Sequence, residues 1–143
     1  MAIVNRIFSG RAAILAACCA SGLIAAACAS SAPTAILSDT TWTVQSIEGR
    51  PVTARQPTIE FSGDRISGSG SCNRYFGTYE VTGSETIVLG SIGSTEMACE
   101  PPVMTQEAAF FSALNAVRAY RRDGDTLTLS AVAGPQLVLR RAP

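Results

Sequence analysis

The sequence predicts an α+β domain: a mostly antiparallel, strongly curved sheet or partial barrel of about seven or eight short strands, with one packing helix. Three observations predict it. Between residues 41 and 140, short runs alternate apolar and polar residues and are parted by turn signals rich in Gly, Asp, Ser and Pro. A single segment, residues 101–117, carries the helical period instead. The chain has 143 residues, enough for one domain and not two.

The first strand is expected over Thr41–Ile47, with Glu48-Gly49-Arg50-Pro51 as a turn. Thr58–Phe61 alternates cleanly, Ser62-Gly63-Asp64 is a hairpin signal, and Arg65–Gly68 returns. Tyr75–Val81 is a further strand, ended by Thr82-Gly83-Ser84, and Thr86–Leu89 follows it. In the helical segment Val103, Phe110, Leu114 and Val117 share a stripe, with Met104 and Phe111 beside it. Pro101 and Pro102 suit a first helical turn, and Glu100 and Glu107 suit the N-terminal half. Thr126–Leu129 and Gln136–Arg140 close the chain, with turns at Asp123-Gly124-Asp125 and Ala133-Gly134-Pro135. A sheet with one apolar face must cover it, and a single helix over a curved sheet does so.

Composition removes whole classes of chemistry. All 11 basic residues are arginine, 11 residues are acidic, and histidine is absent. A Ser-His-Asp or Cys-His nucleophile cannot be assembled within this chain, and the commonest metal ligand is missing. Arg6 and Arg11 fall in the first 27 residues, which leaves nine arginines against 11 acids, a balance near −2. Nucleic-acid binding needs a basic face, so no such partner is expected. Neither a metal nor a cofactor is expected.

Residues 1–27 read as an export signal: Arg6 and Arg11, an apolar run from Ala12 to Ile24, then small residues. The run is shorter than the roughly 20 residues a spanning helix needs. It ends in Ile24-Ala25-Ala26-Ala27-Cys28, which resembles a bacterial lipobox and makes Cys28 the expected lipidation site. Leu15-Ala16-Ala17-Cys18 matches that pattern more closely, but it would put Arg11 inside a very short apolar run, and a charge there opposes insertion. Residues 28–39, rich in Ser, Ala and Pro, read as a flexible tether, and residues 40–143 as the domain. The lipid would hold a monomer on the membrane with its domain outside the bilayer. If the lipoprotein sorting rule applies, Ala29 in place of Asp points to the outer membrane, facing the periplasm.

Two stretches stand out. Gly68-Ser69-Gly70-Ser71-Cys72-Asn73-Arg74-Tyr75-Phe76-Gly77-Thr78-Tyr79 has glycines two apart at a strand end, a sign of a bulge or close backbone approach. Gly93-Ser94-Thr95-Glu96-Met97-Ala98-Cys99-Glu100-Pro101-Pro102 leads into the helix. With YRRDGDTLTL, LVLRR and the early Trp42, Gly49 and Pro51, these resemble the META domain family, which includes the heat-shock lipoprotein HslJ, over residues 40–141. Ser71 departs from the glycine common before that cysteine. The resemblance implies association with heat or antibiotic stress at the cell envelope.

Cys72 and Cys99 could read as free, buried side chains, but in an oxidising envelope an isolated pair is more often bridged, and a Cys72–Cys99 disulfide is expected. A bond closing about 27 residues would stabilise by roughly 3 kcal/mol. Without a Cys-x-x-Cys pattern, histidine or lysine, a reactive thiolate is not expected, and two cysteines fall short of a zinc site. Asn73, Arg74, Tyr75 and Glu96 form the candidate functional surface; the same residues also read as a turn, an ion pair and core aromatics. Arg121-Arg122 and Arg140-Arg141 read as strand-end charges or a patch for anionic lipid or glycan. The expected function is therefore that of a non-enzymatic envelope lipoprotein that binds an envelope protein partner. The alternative is an extracytoplasmic protease inhibitor, marked by a rigid protruding loop at 48–57, or a small apolar-ligand carrier, marked by a cavity among the strands. An enzyme built on Glu96 or Glu100 would need two close carboxyl groups in a deep cleft.

Overall fold

The computed structural model describes residues 36–133 and 136–143. The expected export signal, Cys18, Cys28, most of the expected tether, and Gly134 and Pro135 lie outside them. The elements are β1 (Thr40–Ile47), β2 (Arg50–Pro51), β3 (Thr58–Ser62), β4 (Arg65–Ser69), β5 (Arg74–Val81), β6 (Ile87–Leu89), β7 (Gly93–Ser94), α1 (Pro101–Ala116), β8 (Ala119–Asp123), β9 (Thr126–Ser130) and β10 (Gln136–Arg141).

Eight strands run in the order β6-β5-β4-β3-β1-β10-β9-β8, while the short β2 pairs with β1 and β7 with β5. Every pair is antiparallel. The two ends of this order meet at a narrow seam. Thr86 bridges Ala119, Ile87 N–H donates to the Arg118 carbonyl at 3.1 Å, and Tyr120 N–H donates to the Glu85 carbonyl at 2.9 Å. The expected curved sheet is thus a nearly closed barrel with one seam, and closure hides most of the strand edges that an open sheet leaves unpaired.

Alternation fills the interior. Trp42, Val44, Ile59, Phe61, Ile66, Leu127, Leu129, Leu137 and Leu139 are fully buried, each stabilising by roughly 1.5–3 kcal/mol. A bulge in β1 sets two residues opposite one between Val44 and Ser46. It returns Ile47 to the inside and bends the strand. Helix α1 closes the barrel end where β1 finishes, burying Phe110, Ala113 and Leu114. Arg118 caps its last turn through the carbonyls of Asn115 and Val117.

The sequence marked no strand at 119–123, yet β8 forms there. Only Tyr120 supplies an apolar inward side chain. The next inward position is Arg122, whose guanidinium lies 5.6 Å from the Trp42 ring centroid and donates to the Ile36 carbonyl at 2.7 Å. An arginine whose stem packs and whose head is hydrogen-bonded can occupy an interior position. The domain also starts earlier than residue 40. Leu37 is fully buried and plugs the barrel end opposite α1, and Trp42 Nε1 donates to Thr40 Oγ1 beside it at 2.8 Å. The apolar Ile36-Leu37 pair leaves the tether composition because it belongs to the core.

Candidate functional site

The two distinctive stretches meet above the helix. At the end of β4 the chain must pass close to α1. A Cβ on Gly70 would stand 2.7 Å from the Phe111 ring and 3.0 Å from Glu107 Oε2, so only glycine admits the helix. Ser71 follows with φ +129°, a conformation L side chains rarely adopt. This is why glycine suits that position.

Glu107 is the polar centre of the region and is buried. Its Oε2 accepts the backbone N–H groups of Cys72 at 2.7 Å and Asn73 at 2.6 Å, and its Oε1 accepts Asn73 Nδ2 at 2.6 Å. The Asn73 amide uses both donors and both acceptor positions. Nδ2 also donates to the Met97 carbonyl at 3.1 Å, and Oδ1 accepts Met97 N–H at 2.6 Å and Thr95 Oγ1 at 2.8 Å. A buried group so fully satisfied fixes its neighbours. Gln106 performs the same task for a second loop. Its Oε1 accepts Thr53 and Ala54 N–H, both at 3.0 Å, while Nε2 donates to the Arg55 carbonyl at 3.0 Å and Ser71 Oγ at 2.9 Å.

A Cys72–Cys99 disulfide, with Cα atoms 6.0 Å apart, ties the two stretches covalently. Residues 94–98 are all exposed and lie across this rigid base. On the other side of α1, an open groove of about 470 Å³ is lined by Ile47, Pro51, Pro101, Pro102 and Ala109, with Glu48 and Arg50 at its rim.

The expected surface of Asn73, Arg74, Tyr75 and Glu96 divides. Arg74 and Glu96 are exposed and make no ion pair among the described residues. Asn73 is buried and acts as scaffold. Tyr75 belongs to the core, because β5 turns its odd-numbered side chains inward. It packs on Phe110 and Phe111 and donates to the Thr58 carbonyl at 2.9 Å, and burial pushes its phenol far above the usual range. Sequence reasoning missed Gln106 and treated Glu107 as a helix-dipole partner. The available signal was a carboxylate on the apolar stripe of Val103, Phe110 and Leu114. The 48–57 loop does not protrude freely; Gln106 docks it on the helix. Glu96 and Glu100 are both exposed. Among the described residues no cluster of three His, Cys, Asp or Glu could hold a metal, and no helix is long and apolar enough to cross a membrane.

The family model described as META domain matches residues 35–143. Three solved structures share the architecture. A protein from Burkholderia xenovorans, solved by NMR, is 25% identical, with a TM-score of 0.64 and coverage of 78% of this chain and 88% of that one. A second NMR structure is 24% identical, with a TM-score of 0.61 and coverage of 77% and 94%. The crystal structure of a DUF4847 family protein from Bacteroides vulgatus is 17% identical, with a TM-score of 0.58 and coverage of 76% and 96%. The last two speak to fold alone. No curated protein matches the sequence.

Proposed function

This chain belongs to the META domain family, and from that premise we propose that it is a non-enzymatic envelope lipoprotein that supports stress tolerance by binding a protein partner. The observation that carries the reading is the use made of the buried Asn73–Glu107 cluster. Its hydrogen bonds converge on the Thr95 hydroxyl and on the N–H and carbonyl of Met97, so the cluster holds an exposed segment still. Recognition by a preformed surface avoids the ordering cost of binding. The Cys72–Cys99 disulfide fits an oxidising compartment, and the Cys28 motif supplies the anchor, with the fatty chain inserted in the outer membrane and the domain in the periplasm.

The direct test is in-cell photo-crosslinking. A photoreactive side chain at Glu96 is compared with one at the exposed Glu60 of β3, and incorporation of labelled palmitate is followed in the chain and in Cys28→Ala. Capture of one envelope protein through position 96 alone, with label lost in C28A, supports the reading. Unlabelled protein in the cytoplasm, or equal capture from both positions, defeats it.

A second reading, carriage of a small apolar ligand, is favoured by the groove beside Pro51 and Pro102. The interior of the barrel does not favour it, being filled by side chains. Native mass spectrometry of protein purified from its host would find a bound apolar molecule, displaced by Ala109→Trp, if the groove carries one.

A further inference from the structure

We infer that residues 94–98 form a preordered sheet edge on which the partner adds an extended strand; the inference rests on the partner-binding reading above and names its chemistry. The backbone beyond β7 runs antiparallel to the chain around Asn73–Phe76. Gly93 pairs with Phe76 and Ser94 with Tyr75. Thr95 N–H donates to the Arg74 carbonyl at 3.0 Å. Met97 bonds the Asn73 amide through both its N–H and its carbonyl, and Cys99 N–H donates to Met104 Sδ at 3.4 Å. The contacts therefore recur at residues 95, 97 and 99, the period of an extended strand. In such a strand one residue's N–H and C=O point to one side and the next residue's to the other. Glu96 and Ala98 thus aim theirs away from the domain, and no hydrogen bond among the described residues uses them.

A second observation marks the same edge. Phe76 and Met97 are large apolar side chains left 58% and 54% exposed. The register puts them on one face of the ribbon, four residues or about 13 Å apart. The Phe76 ring lies over Gly93, 3.1 Å from where a Cβ would stand, and so leans toward the edge. Glu96 projects from the opposite face. Native sheets usually blunt such edges with proline, charge or a bulge. Here 94–98 contains no proline and a single charge. The chemistry recognised is an extended peptide with apolar residues alternating along one face, to cover Phe76 and Met97, and a basic residue on the other, facing Glu96.

Ala98→Pro tests the inference, because it deletes an outward N–H while leaving Met97's bonds to Asn73 untouched. Glu96→Pro is a second such change, and Ala98→Ser the control that keeps the N–H. The probe is a phage-displayed library of random heptapeptides, selected on the full chain with its disulfide intact. Enriched peptides should alternate apolar and basic residues. Their affinity should fall about tenfold or more in A98P and E96P and persist in A98S. The Glu96 and Ala98 amides, fast to exchange with deuterium in the free protein, should slow when peptide binds. Failure to enrich any peptide, undiminished binding to A98P, or protection at the Pro51–Thr53 groove instead would overturn the inference. A partner captured in cells through position 96 equally well in the A98P chain would defeat strand pairing and leave partner binding standing.

Discussion

Asn73 meets Glu107 twice: its backbone N–H donates to Oε2 and its side-chain amide to Oε1, both at 2.6 Å. One carboxyl group thereby fixes both the turn and the direction in which the Asn73 side chain reaches for Met97. Replacing Asn73 with Asp removes two donors and sets acceptor against acceptor inside the protein. N73D is expected to lose about 3 kcal/mol or more of unfolding free energy. A cycle of N73A and E107A should give a coupling of roughly 1–3 kcal/mol. Urea unfolding of the four chains measures it; additive losses would show that the two side chains act independently.

Ser71 supplies a second prediction. Its φ of +129° burdens any side chain, while its Oγ accepts a hydrogen bond from Gln106. Ser71→Ala keeps the strain and gives up the bond. Ser71→Gly gives up the bond but removes the strain. S71G should therefore be more stable than S71A by about 1 kcal/mol, read from thermal unfolding. The reverse order would mean that the backbone there is unstrained.

Much of this was legible in the sequence because two local signals dominate it. Alternation over 58–61, 75–81, 126–129 and 136–140 placed the strands, and the stripe of Phe110 and Leu114 placed the helix. Strand β8 was not legible, since its second inward position is Arg122, and only the tertiary neighbours Trp42 and Ile36 make an arginine acceptable there. Of the site, Cys72, Asn73, Glu96 and Cys99 were marked by their unusual setting. The roles were not. Whether Asn73 touches a partner or holds a loop depends on Glu107, 34 residues away in sequence, and alternation cannot report a contact of that range. Glu107 itself read as a favourable charge near a helix N-terminus, a reading its burial replaces.

The disulfide yields a third prediction. Cys72→Ser with Cys99→Ser should cost about 3.5 kcal/mol for a loop of 27 residues in the chain-entropy view. The protein should still fold, because the Asn73 and Glu107 bonds remain. The loss should also be local in its dynamics: the Met97 amide, bonded to Asn73, should exchange faster with deuterium, while the Leu127 and Leu139 amides follow only the global change. Equal acceleration throughout would mean that the bond stabilises the barrel and not the edge.

The fourth prediction concerns alkaline pH. Burial raises the Tyr75 phenol above its ordinary value of 10.0, and burial together with the Glu85 carboxylate raises Tyr120. Above that ordinary value the unfolded chain releases these protons while the native chain retains them. The native state then binds more protons than the unfolded one, so stability must fall as pH rises. The loss begins near pH 10 and grows by roughly 1.4 kcal/mol per pH unit for Tyr75, and Tyr120 adds to it in the same direction. The two can be separated. Tyr75→Phe loses the bond to the Thr58 carbonyl and should cost about 1 kcal/mol at pH 8 while flattening the alkaline slope. Tyr120 Oη has no partner among the described residues, so Tyr120→Phe should be neutral or stabilising at pH 8 and flatten the slope as well. Urea midpoints between pH 8 and pH 11 decide the matter. A wild-type profile that stays level to pH 11 would mean that both phenols ionise in the folded protein as they do in the unfolded chain, and neither could then be as enclosed as the barrel makes them.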